Sequence, residues 1–447
     1  MRRVLPWGEA FFQAFNNIYA ANRDMPRRLL HKAFEKAVAA SHPSALLPQS
    51  RLLTRLCKSP PKGSVRIIAA GKAAAAMVEA LENHWPCVEP PVGVAVAPDG
   101  YLVPTRWIEV IAAAHPHPDS RCIAAAKKLS EIAKTCGPDD VLVVLLSGGG
   151  SSLLSWPVEG VSLEAYVSAL RDLMAAGADI EALNTVRRHL SRLAGGGLAA
   201  LAGGARIEAL LLSDVVGDSE SLIASGPISP DMSTLADARN AFTKHGVTPS
   251  ADIEAALAGP DNETPEPGDP IFEKVCTEVI PSSVWMAPVA ELLRAEGYET
   301  RIIGEQLAGD AADLARLHAR AAIEAASEAH PVALLSGGEA TTHLKGDGEG
   351  GPNAEFCLEL ARALEGRPGI WALACDSDGV DGASNAAGGV IGPDTLVRAA
   401  ALGCSVDYAL VHSNSTGLLK RLGDAVVVGP TMTNVNDVRV VLANPPA

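Results

Sequence analysis

Short apolar runs separated by amphipathic stretches of ten or more residues recur along the first half of the chain. Residues 65–71, 92–97, 109–114, 141–146 and 206–213 read as buried strands, and 73–82, 120–134 and 163–176 as the helices between them. Strands that alternate with helices of this length imply βαβ units and a mostly parallel sheet. Residues 1–60 read as helical and begin with a surface helix. A second α/β series follows, with strands at 278–281, 300–303, 332–335, 370–375, 425–428 and 438–442, and helices at 284–296, 311–328 and 355–364. Between the series lies GPDNETPEPGDP (259–270), rich in proline and acids, which reads as a linker. Two domains are therefore expected, 1–260 and 261–447.

The pentapeptide Leu-Leu-Ser-Gly-Gly closes one apolar run in each half, at 145–149 and 334–338. A buried strand that empties into glycines makes a tight turn with no Cβ in the way of a ligand, and ligands of open α/β sheets sit beyond the carboxyl ends of strands. Two such turns suggest the two lips of one cleft. No other internal repeat is present.

Composition narrows the classes. The 447 residues are 48% hydrophobic but 4% aromatic, which suits small-residue packing of helices on sheets. Net charge is −15, from 37 basic and 52 acidic residues, and argues against a nucleic-acid or anionic-membrane surface. Eight scattered cysteines without a CxxC read as reduced thiols of a cytosolic protein. Pro6, Gly8 and Glu9 interrupt the first apolar stretch, so no secretory signal is expected, and no run reaches the length of a membrane helix. A cytoplasmic protein is expected.

Several constellations could carry chemistry. Gly71-Lys72-Ala73 follows the strand VRIIAA and opens a helix, where unpaired amides and a lysine suit an anion, although the spacing is not a Walker A loop. SGGGSS, from Ser147 through Gly148, Gly149, Gly150 and Ser151 to Ser152, offers a phosphate or carboxylate cradle, or simply lets a helix approach a sheet. It lacks the GxGxxG fingerprint of a dinucleotide site. Asn184, Arg188 and Arg192 are spaced to share a helix face, a solvated basic face being the alternative. Asp214 and Asp218 follow another strand, as general base, Mg²⁺ ligand or turn cap. Asp376, Asp378 and Asp381 follow a further one, resembling the start of an EF-hand loop without its closing glutamate, which is Ala387. His115-Pro116-His117-Pro118 reads as a proline-set loop rather than a metal site.

Taken in order, AAGKAA, HPHPD, LLSGGGSSLL, NTVRRHLS, LLLSDVVGDSESLIASGP, LLSGGEATT, CDSDGVDGASNAAG and GPTMTNVNDVRVVL resemble the class II glycerate kinases, whose C-terminal part is the MOFRL domain and some of whose members carry the label hydroxypyruvate reductase. The resemblance covers about residues 67–442. It implies an α/β protein with a large Rossmann-like domain of mostly parallel sheet. A smaller α/β domain of mixed sheet follows, with the active site in the cleft between them. It further implies ATP- and Mg²⁺-dependent phosphorylation of D-glycerate at the 2-hydroxyl. The alternatives are an NAD(P)H-dependent hydroxypyruvate reductase and a non-catalytic sugar-acid-binding homologue. The family's catalytic lysine falls on Lys72 and its strand-end aspartate on Asp214. Ser147–Ser151, Asn184 and Arg188 are then expected to hold the substrate; Ser336, Gly337, Gly338, Glu339 and Asn353 the nucleotide; and Asp376 and Asp378 the metal. Where the family has GGRNQEF, this chain has Pro352 for the arginine and Ala354 for the glutamine. Expected partners are D-glycerate and a nucleotide, with a homodimer possible and neither nucleic acid nor membrane.

Overall fold

The apolar runs become strands with little displacement in a computed structural model that describes residues 25–87, 89–343 and 345–445. The surface helix expected at the very start lies outside the described residues. The chain divides into two compact units.

The first unit is Leu46–Ile280. Its sheet contains β1 (Val65–Ala70), β2 (Val92–Pro98), β3 (Glu109–Ala113), β4 (Val141–Leu146), β5 (Arg206–Leu212) and β6 (Val275–Ile280). All pairs are parallel, in the order β3-β2-β1-β4-β5-β6. Every residue of β4 is buried, as a strand covered by helices on both faces requires. The helices Ala74–Asn83 and Ser120–Lys134 pack on β1 and β2. Chain order reverses between β1 and β4, and at such a switch point the connecting loops part to leave a crevice.

The expected boundary at residue 260 needs correction. β6 continues the sheet, pairing with β5 from Ile207↔Val275 to Leu212↔Ile280. The 259–270 segment is not a linker either, because its polar groups are tied into this unit. Glu263 accepts from His189 Nε2 (3.0 Å) and Leu235 N (3.1 Å), and Thr264 donates to Asp231 (3.1 Å). The boundary falls at Ile280/Pro281, and residues 25–45 join the later half.

The reason lies in the helix Met25–Ser41. Its buried Arg27 pairs with Asp394 (2.8 Å) and Asp424 and lies 5.0 Å over the Trp371 ring, and Thr433 donates to the Ser41 carbonyl. The second unit holds β7 (Glu299–Gly304), β8 (Gly309–Asp310), β9 (Val332–Ser336), β10 (Ala340–Thr341), β11 (Ile370–Asp376), β12 (Gly388–Ile391), β13 (Ala425–Val426) and β14 (Asp437–Ala443). Six form a mixed sheet, β13-β12-β11-β14-β9-β7, parallel only at β7–β9; β8 and β10 pair separately. The helices Ala311–Ala326 and Pro352–Leu364 supply much of its apolar cluster. No described helix is long and apolar enough to cross a membrane.

His318 and Arg439 are two of the polar groups enclosed in this core. His318, 1% exposed, has one neutral tautomer available, because the Leu314 carbonyl can only accept. Nδ1–H therefore donates to Leu314 (2.7 Å), and Nε2 accepts the Ser336 hydroxyl proton (2.7 Å). Burial lowers the His318 pKa to about 4, so the unfolded chain takes up this proton first, near pH 6.5. Its stabilising share is complete above that pH and lost as pH falls through about 4. His318→Gln is expected to flatten the decline of stability between these limits, read by urea unfolding at pH 4.5 and 7; an unchanged slope would contradict the assignment.

The other group is Arg439, which is fully buried. It pairs with Asp437, donates to the Gly337 carbonyl (3.1 Å) and lies 5.5 Å from the Phe356 ring centre. Asp437 also accepts from Asn353 Nδ2 (2.6 Å) and Ala340 N (2.7 Å).

Candidate functional site

Parallel pairing of β1 with β4 aligns Ala70 with Leu146, so the turns that follow these strands are neighbours. They are joined by backbone: Lys72 N donates to the Gly148 carbonyl (2.8 Å), and Ala73 N donates to the Ser147 hydroxyl (2.9 Å). β5 lies on the other side of β4, with Leu211 opposite Leu146, and places half-buried Asp214 two residues beyond its end. Lys72, Ser147–Ser151 and Asp214 thus come from three adjacent strand ends at the carboxyl side of one sheet.

The glycine turn has room only for glycine at its tip. Gly149 has φ +81°, and a Cβ there would lie 3.0 Å from the His115 ring. Among the described residues the amides of Gly148 and Gly149 have no partner, which leaves two donors for an anion. His115, read as part of a proline-set loop, is instead a neighbour of this turn, its Nδ1 2.7 Å from the Ser152 hydroxyl. The signal that could have found it is the chain order of the motifs, since HPHPD follows β3 as SGGG follows β4.

The third wall comes from the helix Ile180–His189 and the Ile223–Ser225 turn. Ser151 and Ser225 hydroxyls lie 2.8 Å apart, and Ser225 donates to Asn184 Oδ1 (3.4 Å). Ala224 and Ser225 hold left-handed backbone (φ +51° and +61°), a costly state for residues with a Cβ that is characteristic of functional turns. The face proposed for Asn184, Arg188 and Arg192 is corrected. The helix ends at His189, because the chain turns into a bridge between Pro157 and Ser191. Arg192 then points elsewhere, over Trp156 (5.1 Å). Arg188 is 8% exposed and already paired: Nη1 donates to buried Asp231 (2.9 Å) and Nη2 to the Ser221 carbonyl (3.1 Å). It secures the loop carrying Ser221 and Ser225 rather than presenting a free charge.

The second copy of the pentapeptide behaves differently. Ser336 is fully buried on His318. The amides of Gly337 and Glu339 donate to the carbonyls of Gly304 and Leu307, and Leu307 N donates to Gly337. A Cβ on Gly338 would lie 2.2 Å from the Leu307 oxygen. This turn is the seat of a neighbouring chain segment, and its glycines serve that close approach. Asn353, 1% exposed, bonds Asp381 and Asp437 with its backbone and side chain. Ser336, Gly337 and Asn353, expected to contact the nucleotide, thus each make hydrogen bonds within their own unit. Pro352 opens its helix at the first position, where a missing amide costs nothing.

Asp376 ends β11 half-buried, whereas Asp378 is 1% exposed and its Oδ1 accepts from Val380 N (2.8 Å). Asp376 Oδ1 likewise accepts from Asp378 N (2.9 Å), so both carboxylates shape the loop, and the half-buried Asp376 is the more accessible of the two. Asp381 clamps the same loop to the start of the Pro352–Leu364 helix, accepting from the amides of Asn353 and Ala354 (2.9 Å each), and burial raises its pKa to about 7. Among the described residues no three His, Cys, Asp or Glu converge on one metal position.

The same sequence has clear relatives. Residues 29–258 match a domain of unknown function, DUF4147, and residues 332–437 match the MOFRL family. A protein of Agrobacterium vitis named "Putative hydroxypyruvate reductase" is 40% identical over 422 residues, 93% of this chain and 94% of its own. The D-glycerate 2-kinase of Thermotoga maritima is 36% identical over 77% of this chain and 82% of its own, and the glycerate 2-kinase of Pyrococcus horikoshii 34% over 85% and 88%. The crystal structure of a glycerate kinase from Thermotoga maritima superposes with a TM-score of 0.82 at 33% identity, covering 93% of this chain and 99% of that one. The chain therefore belongs to the glycerate kinase family that joins a DUF4147 domain to a MOFRL domain.

Proposed function

We propose that this chain transfers the γ-phosphoryl group of ATP to D-glycerate, at the 2-hydroxyl. One observation carries the reading: at the switch point of the parallel sheet, Lys72 and the glycine turn are locked together by the Lys72–Gly148 hydrogen bond. Phosphoryl transfer needs little covalent chemistry from a protein and much placed positive charge. The Lys72 ammonium supplies that charge, the amides of Gly148 and Gly149 hold an anionic oxygen, and Asp214 orients or deprotonates the acceptor hydroxyl. Arg188 keeps Asp231 and takes no part in contacting substrate. Asp376 would hold a Mg²⁺ through its carboxylate, as a hard oxygen donor suits that ion. Such an ion, when bound, neutralises phosphate charge. The names of relatives at 34–36% identity support the kinase reading.

Purified protein with D-glycerate and Mg-ATP is expected to release ADP in a coupled assay and to form 2-phosphoglycerate. Hydroxypyruvate with NADH or NADPH is expected to give a flat trace, in keeping with the missing dinucleotide fingerprint. Cofactor oxidation without ADP release would overturn the proposal in favour of a reductase.

A further inference from the structure

The polar groups beside the glycine turn form a continuous line. Tyr166, buried in the helix Leu163–Ala175, lies beside Arg187. Arg187 Nη1 donates to Asn184 Oδ1 at 2.5 Å, and Ser225, itself bonded to Ser151, donates to the same oxygen. A guanidinium carries donors only, so the branch of Asn184 that it touches must be the carbonyl oxygen. The amide cannot flip, and its NH₂ is the other branch. Asn184 is 3% exposed, yet among the described residues Nδ2 has no partner. Nδ2 is thus the one reachable tip of an otherwise buried side chain, beside a turn that also leaves two amides open, and it is placed to meet an acceptor from outside the chain.

We propose that Arg187 is a positioning residue which, acting through Asn184, fixes a donor-only contact for the substrate, and that this contact selects the carboxylate of D-glycerate over uncharged three-carbon analogues. The assignment of the ligand rests on the kinase reading above; the orientation of the amide does not. A carboxylate has acceptors alone and suits open donors such as these. The hydroxyl of an alcohol or hydrated aldehyde brings a proton that such a pocket cannot receive. If Arg187 only stiffened the helix, its removal would lower stability without changing selectivity.

The test compares wild type, Asn184→Asp, Arg187→Met and Arg187→Lys. Each is assayed with D-glycerate and D-glyceraldehyde under saturating Mg-ATP, with thermal unfolding and calorimetric titration of D-glycerate alongside. Asn184→Asp turns the donor into an acceptor that Arg187 still holds, and is expected to raise KM for D-glycerate about 100-fold or more while Tm stays within a few degrees. Arg187→Met frees the amide to flip and is expected to raise that KM about tenfold, with kcat within about threefold. Arg187→Lys should restore most of the loss. Preference for glycerate over glyceraldehyde should shrink in parallel. An Arg187→Met enzyme with wild-type KM and preference overturns the proposal, as does a loss of Tm and kcat with no change in preference. Should wild type bind D-glycerate without phosphorylating it, the kinase reading falls, and the inference stands if Asn184→Asp abolishes the binding. Should wild type not bind it at all, both fall.

Discussion

Replacing Lys72 by alanine is expected to lower kcat for D-glycerate phosphorylation by about 10³-fold or more, with a fold indistinguishable from wild type. The size follows from position. Lys72 stands at the opening of a helix, where backbone amides already favour anions and a cation is poorly placed for stability. Its amide is committed to the Gly148 carbonyl, so the side chain starts from a fixed point beside two open glycine donors. Preorganised charge of this kind is worth most where charge develops during transfer. The substitution leaves the backbone bonds intact, so Tm is expected to hold while turnover collapses. Steady-state kinetics together with far-ultraviolet circular dichroism decide the matter. A variant with ordinary turnover would sink the assignment of Lys72.

The largest stability effect is expected in the other unit. Arg439→Met should destabilise it by about 3–5 kcal/mol, because the buried Asp437 carboxylate loses the guanidinium paired with it while remaining enclosed. Asp437 keeps its bonds from Asn353 and Ala340, which soften the loss without replacing the charge. Urea unfolding at pH 7 measures this directly. Converting both partners, Arg439→Met with Asp437→Asn, is expected to recover part of the loss, since no unpaired charge then stays buried. A single variant that unfolds at the wild-type midpoint would show that the ion pair contributes little.

Much of the fold was legible because strands such as Val141–Leu146 and helices such as Ser120–Lys134 announce themselves by burial and period. β12 and the helices Thr395–Ala401, Val406–Val411 and Ser415–Leu422 did not, being too short to complete a periodic pattern. The boundary was misplaced because proline-rich acidic segments look like linkers whether or not a buried partner, here His189 or Asp231, receives their side chains. At the site, Lys72, the first glycine turn and Asp214 were readable from strand ends alone. The two Leu-Leu-Ser-Gly-Gly turns were not separable that way. The first leaves the amides of Gly148 and Gly149 open, whereas the second gives those of Gly337 and Glu339 to Gly304 and Leu307, and that choice depends on residues about thirty positions away. Arg188 and Arg187 illustrate the same limit: adjacent in sequence, they turn to Asp231 and Asn184 respectively.

The helix Met25–Ser41 has a consequence for the order in which the chain acquires its structure. It is among the first described segments to leave the ribosome, yet Asp424, the partner of its Arg27, is made 397 residues later. The whole parallel-sheet unit, Leu46–Ile280, is synthesised in between, and units of this kind fold as they emerge. The early helix must therefore wait, with Leu29, Leu30 and Phe34 uncovered, until the elements it packs on are made, the helix Met286–Ala295 first and β11 and β14 last. During translation this helix is the natural client for a chaperone, and a chain that stops at Ile280 is expected to leave it uncovered.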